Sequence, residues 1–86
     1  MNAISEERKK ELEYMADVYT SIILKNYLDI MKTKGNEKSI SRKIANIIEK
    51  EVRDAYHEDG YDIETSKEFA SYVREMSYYK LLDIIC

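Results

Sequence analysis

His57, the one histidine of the chain, stands at the head of an acidic run, Glu58-Asp59-Gly60-Tyr61-Asp62-Ile63-Glu64. Closely spaced carboxylates with a glycine for the turn are what a calcium loop requires. Register excludes that loop here. With Gly60 at the sixth position, the first falls on Ala55 and the twelfth on Ser66, so two obligatory oxygen ligands are missing. No second histidine lies four residues from His57, which removes the helical zinc motif, and the spacing supplies no oriented partner for a general base. The sequence also lacks a phosphate loop and a nucleophile with its base. It therefore predicts that the protein is not an enzyme and has no catalytic residue, metal ligand or cofactor. Cys86, the single cysteine, cannot form an internal disulfide.

The chemistry that remains is recognition. Eight tyrosines accompany one phenylalanine and no tryptophan. Tyrosine brings apolar area at low rotamer cost and a hydroxyl that tolerates water, which suits an interface. Codon bias from A+T-rich coding sequence, as in a low-GC bacterium or its mobile elements, would produce the same excess of Tyr, Ile and Lys. Tyr78 and Tyr79 are adjacent, so on a helix they diverge by roughly 100° and cannot both enter one core. The candidate partner-binding residues are Tyr72, Tyr78, Tyr79, Leu82 and Ile85, with Leu24 and Leu28.

Charge offers an alternative. Lys32, Lys34, Lys38, Arg42 and Lys43 face a single acid, Glu37, and form a basic corner able to meet phosphates. The run Ser39-Ile40-Ser41-Arg42-Lys43-Ile44-Ala45 has the flavour of a helix-turn-helix opening. That motif needs a tight turn soon after the alanine, whereas Ile47-Ile48-Glu49-Lys50-Glu51 continues the helix. Between Glu49 and Glu68, eight acids against Lys50, Arg53 and Lys67 would repel a duplex. Nucleic acid is thus the second partner class.

Three helices must position these groups. The chain has no proline and only two glycines, Gly35 and Gly60, each placed where an apolar stripe has run out and able to close a helix C-terminus. The first helix is expected over about 5–34, capped by Ser5, with Leu12, Met15, Ala16, Tyr19, Ile22, Ile23, Tyr27 and Ile30 on one face. Residues Glu6 to Glu13, apart from Leu12, read as solvated. The second is expected over about 39–59, with Ile40, Ile44, Ile48, Val52 and Ala55 inward and Arg42, Asn46, Glu49, Lys50, Arg53 and His57 outward. The third is expected over about 65–85, opened by a Thr65/Glu68 capping box, with Phe69, Tyr72, Val73, Met76 and Tyr79 on its first stripe. Asn26 lies at the margin of the first stripe, where burial would require hydrogen-bond partners.

Eighty-six residues suggest one domain, 1–86, an all-α up-down-up three-helix bundle. Net charge is −3, and no apolar run exceeds three residues, which removes a membrane span and a signal-peptide core. A cytoplasmic location is expected. The tail from Tyr78 to Ile85 is too apolar for one face of a small bundle, and a longer first helix should overhang the others. These features predict a small protein-binding regulator or inhibitor of the phage or mobile-element type, docking on a larger protein. A homodimer through the third helix and the C-terminal half of the first is the companion expectation.

Overall fold

The computed structural model describes the backbone of residues 4–31 and 37–85, and the side chains of 4–26 and 38–84. Three helices make up the described chain: α1 (Glu6–Met31), α2 (Glu37–Glu58) and α3 (Ile63–Ile85). The molecule measures 40 × 22 × 19 Å. α2 and α3 pack on each other most extensively, and α1 lies chiefly against α3. α1 has 26 residues against 23 in α3, under one turn of difference, so the expected overhang is small among the described residues.

The start of α1, the end of α2 and the start of α3 each have a local chemical cause. Ser5 caps α1, its Oγ accepting from the Arg8 amide at 3.1 Å. α2 ends in a Schellman motif at Gly60, whose φ is +105°. The Gly60 amide donates to the His57 carbonyl at 3.1 Å and the Tyr61 amide to the Tyr56 carbonyl at 3.2 Å. The Tyr56 and Tyr61 rings then meet edge to face at 5.3 Å, supplying the apolar contact that accompanies such a stop. Two residues on, Asp62 caps α3: its Oδ1 accepts from the Thr65 amide at 2.9 Å, and its carbonyl accepts from the Ser66 amide and hydroxyl. The expected cap at Thr65 is thus corrected by three residues, because a carboxylate beside the stop outcompetes the later hydroxyl. Gly35, the other expected stop, lies outside the described residues.

The core joins Leu12 and Ala16 of α1, Ile44, Ile48, Val52 and Tyr56 of α2, and Phe69, Ala70, Val73 and Leu81 of α3. Three stripe expectations fail. Tyr79 is 61% exposed, because the covered face of α3 runs on through Ser77 and Leu81. Ile22 is 55% exposed, since the covered face of α1 continues through Thr20 and Ile23. Ala55 is exposed and Tyr56 takes the buried place, because its ring stacks edge-on against Phe69 at 4.9 Å. Asn26 is exposed, as a margin residue should be.

One end of the core is closed by a cation. The Arg8 guanidinium lies 5.6, 5.3 and 5.0 Å from the ring centres of Tyr56, Tyr61 and Phe69. It donates to the Tyr61 hydroxyl at 2.7 Å and pairs with Glu11, which also accepts from the Tyr56 hydroxyl at 2.8 Å. The first two turns of α1, read as solvated, therefore carry a side chain into the fold. Toward the opposite ends of α1 and α3, Thr20, Ser41 and Ser77 are buried with side-chain oxygens that find no hydrogen-bond partner among the described residues. Each such orphan costs about 1–3 kcal/mol.

Candidate docking groove

The α2–α3 pairing leaves a shallow groove near the start of α2 and the second half of α3. Arg42, Ala45 and Asn46 form one wall and Arg74, Glu75, Tyr78 and Tyr79 the other, around about 310 Å³. Helical period explains the set: Arg42 and Asn46 stand one turn apart on α2, as do Arg74 and Tyr78, and Glu75 and Tyr79, on α3. Tyr78 is half-buried, Tyr79 is 61% exposed, and their rings meet at 5.6 Å and 65°. Tyr78 thus forms a partly covered floor and Tyr79 an open rim.

Electrostatics follow from what the two guanidiniums touch. Arg74 makes one long pair, Nε to Glu49 at 3.7 Å, while Glu49 also accepts from the Ser71 hydroxyl at 3.3 Å. Arg42 is exposed and makes no ion pair among the described residues. Lys38 and Lys43 are exposed on the same end of α2. The groove therefore offers donors, with Glu75 as the lining acid and Asn46 able to do both.

The sequence candidates divide. Tyr78, Tyr79 and Arg42 come together in this groove. Tyr72 is half-buried against the core, as is Leu24 on α1, and neither lines the groove. Leu82 is half-buried. The Leu28 and Ile85 side chains and residues Lys32 and Lys34 lie outside the described residues. Arg74, Glu75 and Asn46 were missed as site residues. A signal existed, because Arg74 and Glu75 precede the two tyrosines by one turn and Asn46 follows Arg42 by one turn.

Ile84 adds an apolar edge. It continues the covered α3 stripe of Ser77 and Leu81, yet it is 57% exposed. Elsewhere the chemistry is sparse. His57 is exposed, with Nδ1 3.0 Å from the Tyr61 carbonyl oxygen, so it serves the turn. Among the described residues there is no cluster of three metal-ligating side chains, and no helix is long and apolar enough to cross a membrane. No family model, curated protein or solved structure matches the chain.

Proposed function

We propose that the chain is a protein-binding regulator or inhibitor of the kind mobile elements encode, docking on a larger protein through the α2–α3 groove. The observation that carries this reading is the exposed Tyr79 beside half-buried Tyr78, walled by Arg42 and Arg74. Tyrosine and arginine dominate binding hot spots because each combines a large flat contact with directional hydrogen bonds. An up-down-up order supports it by leaving this groove open. In favour of that order, Arg8 meets Tyr61 near the starts of α1 and α3, and Asp17 meets Lys80 at 2.6 Å further along both.

Two other readings have their own observations. Exposed Lys38, Arg42 and Lys43 beside the same tyrosines favour a nucleic-acid accessory, since bases stack on aromatic rings between cations. The exposed Ile84, lying on a core stripe, favours a homodimer.

One experiment separates the three. A photo-crosslinking amino acid is placed at position 79, and the protein is illuminated in source-cell lysate with and without nuclease. A single larger protein adduct that survives nuclease and is lost with Arg42→Ala supports docking. An adduct at twice the chain mass indicates the homodimer, and one that requires nucleic acid indicates the accessory. An unchanged adduct in Arg42→Ala would sink the groove reading.

A further inference from the structure

We infer that the occupant of the groove is an acidic peptide segment of the partner protein, a conclusion that rests on the docking reading above. A carboxylate of this segment is held by the Arg42 and Arg74 guanidiniums, an adjacent apolar side chain lies on Tyr78 and Tyr79, and the main chain meets Asn46 and Glu75.

Charge complementarity makes the first argument. Two arginines line the groove against one acid, with Lys38 and Lys43 exposed on the same end of α2. Neither guanidinium is saturated. Arg74 engages Glu49 by a long contact, Nε at 3.7 Å, so its guanidinium can still enter a forked contact, and Arg42 has no ion pair among the described residues. Planar, two-pronged donors match a carboxylate better than a point charge would.

The acceptors argue for a peptide over a nucleic acid. Glu75 in the groove and Glu49 behind Arg74 would repel a phosphate backbone, which offers acceptors only. A peptide brings main-chain N–H donors as well as carboxylates, so Glu75 and the Asn46 carbonyl find partners. About 310 Å³ holds a few side chains.

The test is panning of a random 12-residue peptide display library on the immobilised wild-type protein and on an Arg42→Ala/Arg74→Ala variant. Both arginines are exposed, so the variant should keep its helical circular dichroism. The expected result is enrichment of peptides bearing Asp or Glu beside an apolar residue. By fluorescence anisotropy these bind the wild type at least tenfold more tightly than the variant, and a single-stranded oligonucleotide of matched length does not displace them. Enriched peptides that lack acids, or that ignore the double substitution yet depend on Tyr79, would overturn the acidic occupant and leave the docking reading standing. A library that yields nothing on the wild type, with the oligonucleotide bound instead, would overturn both.

Discussion

Arg8 and Tyr61 stand 53 positions apart in sequence, yet the guanidinium of one donates to the hydroxyl of the other at 2.7 Å. The same guanidinium borders three mutually edge-on rings, so it works as a latch between the start of α1 and the α2–α3 turn. Desolvation opposes its charge, but interaction with Tyr56 and Glu11 outweighs that and holds its pKa above the ordinary arginine value. Arg8→Ala should cost about 1–2 kcal/mol, allowing for partial solvent access to the pair. Arg8→Lys should recover less than half of this, because an ammonium cannot reproduce the planar contacts. Urea denaturation followed by circular dichroism measures both.

The alkaline limb of stability should report Tyr56. Burial, reinforced by its bond to Glu11, pushes the phenol up from 10 to about 12. The folded state then keeps a proton that the unfolded chain releases. The contribution is complete below pH 10 and is lost as pH rises through 12. Melting temperature should fall over that window in the wild type and more gently in Tyr56→Phe.

At the acid end Asp62 acts with the opposite sign. Hydrogen bonds from Thr65 hold its carboxyl below the ordinary value, so its contribution is present above the usual carboxylate range and is lost as pH falls through the lower folded pKa. Asp62→Asn keeps a capping oxygen and should flatten this part of the acid limb, read as melting temperature against pH.

Removing an orphan hydroxyl should stabilise the fold. Ser77→Ala and Ser41→Ala each delete a buried oxygen without a partner among the described residues and improve helix propensity, for a gain of about 0.5–2 kcal/mol. Thr20→Val, which keeps the branched shape, should gain similarly. Denaturation midpoints that stay put or fall would show that these oxygens are satisfied in solution.

Gly60→Ala isolates the backbone from packing. Nothing lies within 4 Å of a Cβ built there, so the cost comes from φ of +105° alone, roughly 1–2 kcal/mol. Thermal melts of this variant should show the full penalty with no change in helix content at low temperature.

Three helices and most of the core were legible from apolar spacing, since Leu12, Ala16, Ile44, Ile48, Val52, Phe69 and Val73 recur at three and four residues, while the expected end of the first helix near 34 lies outside the described residues. Spacing describes one helix at a time. It put Ala55 on the inward stripe and passed over Tyr56, whose burial depends on the Phe69 ring of another helix. Arg8 was invisible for the same reason: its three rings come from α2, the turn and α3. Three of the seven residues that line the candidate groove, Tyr78, Tyr79 and Arg42, were named from the sequence. Arg74 and Glu75 went unremarked, because only α2 packed beside them makes a groove of their face.

The four residues between α2 and α3 have a kinetic consequence. A hairpin whose helices pair most extensively, closed by Gly60 and Asp62, forms from contacts local in sequence, and local contacts form early. α1 must then close a much longer loop to bring Arg8 onto Tyr61. Val52→Ala should therefore slow refolding, whereas Arg8→Ala should leave the refolding rate nearly unchanged and accelerate unfolding, as the two arms of a chevron plot would show. On this account the latch sets the lifetime of the closed bundle, and the α2–α3 hairpin sets the speed of its birth.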